Sequence, residues 1–159
     1  MNVQILCVGK LKERYWQDAS AEYSKRLGRF CSLSIEEVKE EKAPPELSPA
    51  EELAVKEKEG RELLKHLKDS TYLIALDLKG KNLTSEGLAE KMEDLALSGR
   101  SDVAFVIGGS LGLSQEVLAR ADYKLCFSAF TFPHQLMRVI LLEQLYRSFK
   151  TRNHETYHK

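Results

Sequence analysis

Apolar positions along this chain follow two rhythms. Residues 3–8 form a short apolar run closed by Gly9, which predicts a strand and a turn. From 13 to 27 the apolar residues fall at Tyr15 and Trp16, Ala19, Tyr23 and Leu27, the four-residue spacing of an amphipathic helix. "CSLSIEEV" (31–38) alternates as a second strand does, and the adjacent prolines of "EKAPPELSPAEE" make a loop. Ser48 then reads as a helix N-cap, with Pro49 in the first turn and Glu51 completing a capping box, and the helix runs to about Leu67. "TYLIALD" (71–77) predicts a buried strand. Thr84 or Ser85 caps the next helix and Gly99 ends it. "DVAFVIG" (102–108) is a fourth strand, Ser114 starts a short helix, and "KLCFS" (124–128) is a fifth strand. A long helix spans 133–150, with Pro133 suited to its first position and Thr131 or Phe132 near the cap, and a polar tail follows.

Strands thus alternate with helices, and the middle strands are continuous apolar runs, as when both faces of a sheet are covered. The expectation is an α/β fold with a mostly parallel, Rossmann-like sheet of five or six strands, organised as a single domain over 1–159. The acidic segment 36–59, nine acids against four lysines, reads as a loop and covering helix, not a linker. No apolar run approaches the roughly 20 residues that span a bilayer. The N-terminal run lacks a preceding basic segment and a small-residue cleavage site, so it reads as a strand and not a signal peptide. Cys7, Cys31 and Cys126 are odd in number and far apart, with neither a metal-ligand spacing nor a disulfide framework. That usage suits a reducing cytoplasm, and no metal is expected.

Net charge is zero, which argues weakly against coating by nucleic acid. Both ends are nevertheless basic: six Lys/Arg against three acids over 9–29, and five against two over 134–159. Chemistry in a parallel α/β sheet gathers outside the carboxyl ends of the strands, which selects the loops 77–84, 108–114 and 128–134. The middle one, "GGSLGLS", suggests a phosphate cradle. It has neither the lysine of a P-loop nor the spacing of a dinucleotide fingerprint, and it follows the fourth strand. Two explanations of its glycines stand: a tight turn needing positive φ, or close approach of backbone to a flat ligand.

The helix beginning "PHQLMRVILLEQLYRSF" is apolar nearly all round, so it must be covered on more than one side, and a self-complementary dimer interface supplies that cover. Its arginines, Arg138 and Arg147, read equally as partners of carboxylates or as an anion-facing pair. The tail "KTRNHETYHK" has a composition that is ordinarily disordered. It concentrates Arg152, His154, Tyr157, His158 and Lys159, which suit phosphate contact, base stacking and proton transfer.

Taken together, "ILCVGKLK", "EKEG" (57–60), "FVIGGSLGL", "FSAFTFPHQLMRVILLEQLYRSF" and the final "YHK" resemble the small, single-domain ribosomal large-subunit pseudouridine N3-methyltransferases of the SPOUT class, in the same order and over essentially the whole chain. The resemblance implies a deep C-terminal trefoil knot, a homodimer through the last helix, S-adenosylmethionine as methyl donor, and methylation of a pseudouridine in large-subunit ribosomal RNA of the assembled ribosome. Carried over by position, Leu76, Gly108, Phe127, Ser128, Ala129, Phe130, Thr131 and Phe132 would form the cofactor site. His158 would be the base or orienter, Tyr157 a stacking partner and His134 a second catalytic candidate, unless His134 is a structural cap. Arg138, Arg152 and Lys159 would meet RNA. A non-catalytic, ribosome-associated RNA-binding module is the alternative.

Overall fold

The computed structural model describes residues 1–157. Five strands, β1 (Asn2–Val8), β2 (Ser32–Val38), β3 (Tyr72–Asn82), β4 (Asp102–Ile107) and β5 (Tyr123–Cys126), alternate with five helices, α1 (Arg14–Leu27), α2 (Pro49–Lys65), α3 (Ser85–Leu97), α4 (Gln115–Arg120) and α5 (His134–Arg152). The strands form one parallel sheet in the order β2-β1-β4-β3-β5. This is the five-stranded form of the expected fold class.

Burial explains why the central strands read as unbroken apolar runs. Val3, Ile5 and Cys7 of β1 and Val103 and Phe105 of β4 pack on one face against Leu27 of α1, Met92 of α3 and Leu141, Leu142 and Leu145 of α5. Leu6 and Val8, with Ala104 and Val106, pack on the other against Leu63 of α2 and Val117 of α4. Strand side chains alternate between faces, so a strand covered on both needs apolar residues at every position. The acidic segment does supply a covering helix, α2, whose buried side chains include Leu63 while its glutamates mostly face solvent.

Capping follows the sequence closely. The Ser48 side chain accepts from Glu51 N–H and the Glu51 side chain accepts from Ser48 N–H, the reciprocal box that satisfies two orphan donors. Thr84 caps α3 and Ser114 caps α4 by the one-way bond alone, their side chains accepting from Gly87 N–H and Val117 N–H. Gly99, at φ +79°, turns the chain out of α3. Two boundaries differ from expectation. Pro133 stands before α5 as its N-cap, with extended ψ, because a proline ring serves that position as readily as the first turn. The third strand does not stop at 77: it continues to Asn82, with its pairing to β5 slipping from Leu76↔Leu125 to Lys81↔Leu125. Residues 77–80 loop out at that slip. A Cβ on Gly80 would lie 2.6 Å from the carbonyl oxygen of Lys124, so only glycine lets the chain rejoin β5.

The tail also departs from expectation. Its composition predicts disorder, yet 153–157 fold back on α5. The N–H groups of Asn153, His154 and Glu155 donate to the carbonyls of Phe149, Thr151 and Lys150. The last turn of a helix leaves such carbonyls free to accept.

Candidate active site

Strands β4, β3 and β5 are neighbours in the sheet; Gly108 and 127–132 follow β4 and β5, and Leu76 lies within β3, paired with Leu125 just before the slip. After β4 the chain passes to the α2/α4 face, whereas β1, β3 and β5 lead to the other face. The β4 loop therefore lies where the winding of the sheet reverses, the usual crevice for a ligand in such folds.

That loop is a tight turn. Gly112 has φ +88°, and its N–H donates to the Gly109 carbonyl at 3.0 Å. A Cβ on Gly108 would stand 2.8 Å from the carbonyl carbon of Gly112, and one on Gly109 would stand 3.1 Å from Val8 Cγ1 and 3.3 Å from Glu59 Oε1. One glycine thus supplies a conformation and two supply room. Glu59 lies within α2 and is only 4% exposed; its Oε2 accepts from Glu41 N–H at 3.1 Å. Burial pushes its pKa up, and that backbone hydrogen bond opposes the rise only in part. Nothing in periodicity pointed to Glu59, although it lies in the "EKEG" segment; a charged residue on the inward face of an amphipathic helix was the available signal.

The loop after β5 is set by small polar contacts. Phe130 N–H donates to Ser128 Oγ at 3.0 Å, and Asn82 Nδ2 donates to the Cys126 carbonyl at 2.9 Å. Phe127 packs against the core, whereas Phe130 is 76% exposed. Asn82 was missed because the chain there was expected to be loop already. Leu76, Phe127, Phe132 and backbone amides are uncharged, no lysine or arginine falls from 108 to 114, and the ionisable group packed on the turn is the acid Glu59. Such a set fits an adenine ring and a sulfonium cation, and it does not fit a phosphate.

His134 opens α5 at this same edge. A Cβ on Gly9, at the end of β1, would lie 3.5 Å from His134 Cε1. One turn further, Arg138 is 3% exposed; its Nη1 donates to Glu37 at 2.6 Å and its Nη2 to the Gly9 carbonyl at 3.1 Å. This corrects the expectation that Arg138 meets RNA: its guanidinium is spent on joining α5 to β1 and β2. Arg147 likewise pairs with Glu143 at 2.7 Å.

The tail candidates lie elsewhere. Tyr157 sits edge-on to Tyr146, with ring centroids 4.9 Å apart, and its hydroxyl reaches Glu143 at 3.4 Å. Arg152 lies over Phe149, and its Nε and Nη1 are buried with no hydrogen-bond partner among the described residues. His158 and Lys159 lie outside the described residues. At 1.5 Å per residue, Tyr146 is roughly 18 Å along α5 from His134. One chain therefore gathers Leu76, Gly108, 127–132 and His134 but holds Tyr157 and Arg152 apart from them.

Among the described residues there is no cluster of three metal-ligating side chains, and no helix is long and apolar enough to cross a membrane. All three thiols are free and buried. Burial pushes Cys7 and Cys31 up to about 11, which leaves them protonated and unsuited to nucleophilic work.

Known proteins agree with this geometry. The chain is 60% identical over 159 residues to "Ribosomal RNA large subunit methyltransferase H" of Clostridium novyi (strain NT), covering 100% of both chains. It is 59% identical, again over the full length of both, to the protein of the same name from Alkaliphilus oremlandii (strain OhILAs). In fold it is similar to a probable methylase family protein from Haemophilus influenzae Rd KW20, with a TM-score of 0.54 at 15% identity, covering 99% of this chain and 70% of that one. Residues 1–158 match the family described as "Predicted SPOUT methyltransferase". With a parallel sheet whose β4, β3 and β5 loops share one edge, and with full-length relatives that are methyltransferases, the chain belongs to the SPOUT methyltransferase family.

Proposed function

We propose that this protein transfers a methyl group from S-adenosylmethionine to N3 of a pseudouridine in large-subunit ribosomal RNA, acting in the cytoplasm on the assembled ribosome. The observation that carries the reading is the convergence of Leu76, Gly108 and 127–132 on one sheet edge in a chain of this family. The names of the curated relatives support the RNA target.

When bound, the cofactor supplies an electrophilic methyl group on a cationic sulfur. The protein's own part is to hold a flat adenine with Leu76, Phe127 and backbone amides, beside the uncharged turn at Gly108. The ring nitrogen of the target carries a proton that must leave before it attacks. His158 is the proposed base or orienter, with His134 as second candidate because it stands at the cofactor edge. Tyr157 offers a ring for stacking, and Arg152, together with Lys159, offers charge to phosphate.

The separation of about 18 Å along α5 supports a shared site, in which the tail of one subunit reaches the cofactor loops of another. Leu136, Met137, Val139 and Ile140 remain half-buried on the side of α5 turned away from the core, which supports a homodimer through this helix.

The test is methyl transfer from labelled cofactor to ribosomes with and without the target pseudouridine. Label is expected only where the pseudouridine is present. Equal labelling of both, or none of either, overturns the assignment. Mixing a tail-deleted protein with a cofactor-loop variant tests sharing: recovered activity is expected, and no recovery where wild-type mixtures stay active rejects it.

A further inference from the structure

The tail is short and polar, with little apolar surface to bury, so its ordered path requires a specific anchor. Of residues 153–157, only Glu155 and Tyr157 are not exposed. The chain reverses at His154, whose φ of +54° is uncommon for a residue with a side chain. That reversal sets the Glu155 carboxylate between cations from two different elements. Arg29, just past α1, reaches Oε1 at 3.1 Å, and Lys150 of α5 reaches Oε2. Its backbone N–H also donates to the Lys150 carbonyl at 2.9 Å. Two residues on, Tyr157 lies on Tyr146, with the Arg147 guanidinium 4.8 Å from its ring. The two basic ends of the sequence are thus tied together by one acid, and Arg29 and Glu155 are 126 residues apart along the chain.

We propose that Glu155 is a positioning residue for RNA methylation: by joining Arg29 to Lys150 it fixes the path of 153–157, and so fixes where Tyr157 is presented to the RNA. The inference rests on the reading above that the tail works at the RNA. The contacts of Glu155 are with Arg29 and Lys150, away from Leu76, Gly108 and 127–132, so its effect passes through the tail. Each contact is modest at a partly exposed site. Their value lies in geometry, since a displaced reacting group loses rate steeply.

The test compares Glu155→Gln, Arg29→Met, the double variant and a chain cut after Glu155. Glu155→Gln is expected to lower methylation of ribosomes on the order of 10–100-fold. Affinity for S-adenosylhomocysteine should stay within about twofold, and amide exchange over 153–157 should quicken. Arg29→Met should lose activity in the same direction, and the double variant should be no worse than Glu155→Gln, because both break one strap. Full activity of Glu155→Gln beside an inactive truncation overturns the role of Glu155 and leaves the tail reading standing. An active truncation overturns both. Lost activity with unchanged exchange over 153–157 overturns the strap.

Discussion

Replacing Arg138 by methionine separates a structural arginine from an RNA-binding one. The substitution keeps a long unbranched side chain but removes two charge-assisted hydrogen bonds, to Glu37 at 2.6 Å and to the Gly9 carbonyl at 3.1 Å. Each such bond is worth about 1.5–3 kcal/mol. Part of the loss is returned, because Arg138 Nε is buried without a partner, and Glu37, 32% exposed, can hydrate once unpaired. The net cost should be about 2–3 kcal/mol, below the roughly 3–5 kcal/mol of breaking a fully buried pair. With about 2.1 cal/mol/K of unfolding entropy per residue, 159 residues give roughly 0.33 kcal/mol/K, so Tm should fall by about 6–9 °C. Calorimetric melting measures this. Ribosome binding against salt supplies the second readout, since losing a phosphate contact would flatten the slope by about one. The expected result is a lowered Tm with an unchanged slope, partly restored by adding Glu37→Leu. An unchanged Tm with a flatter slope would refute the structural assignment and return Arg138 to the RNA surface.

Gly108→Ala should weaken S-adenosylmethionine binding about 5–150-fold by calorimetry: a Cβ 2.8 Å from the backbone of Gly112 forces the turn open at a cost of about 1–3 kcal/mol. Glu59→Gln should change the pH dependence of stability. Burial raises the Glu59 pKa, so its folded-state contribution is most favourable in acid and is lost as pH rises through the raised value. Glutamine can still accept from Glu41 N–H, so the variant should melt higher than wild type at alkaline pH, with the gain vanishing below the ordinary carboxylate range. A gain that grows toward acid would contradict the sign. If the proposed homodimer forms through α5, Met137→Glu with Ile140→Glu should give a monomer by sedimentation, because both side chains are only half-buried; an unaltered mass would reject this face as the contact.

Much of the fold was legible because local rules decide it. Ser48, Glu51, Thr84 and Ser114 cap their helices as their side chains dictate, and runs such as 102–107 declare a strand covered on both faces. The loops proposed to hold the cofactor were located from sequence by the rule that a parallel sheet places its chemistry at the strand ends. The continuation of β3 to Asn82 was not legible, since Lys79, Gly80 and Lys81 carry no strand signal of their own, and it is the pairing of Lys81 and Asn82 with β5 that returns the chain to the sheet. Nor was the choice between the two readings of Arg138. Sequence offers a cation one turn into a helix, and only the packing of α5 on β1 and β2 brings Glu37 within reach, 101 residues away.

The tail marks the same division. By itself the sequence determined that 150–159 is polar, basic and unable to form a core, and that both ends of the chain carry excess positive charge. The tertiary structure decided the path of 153–157, because packing α1 against α5 places Arg29 and Lys150 on either side of Glu155. It also decided that Tyr157 packs against α5 at Tyr146, away from His134 at the start of that helix. Contacts between residues distant in sequence depend on how elements pack, and no local pattern encodes them.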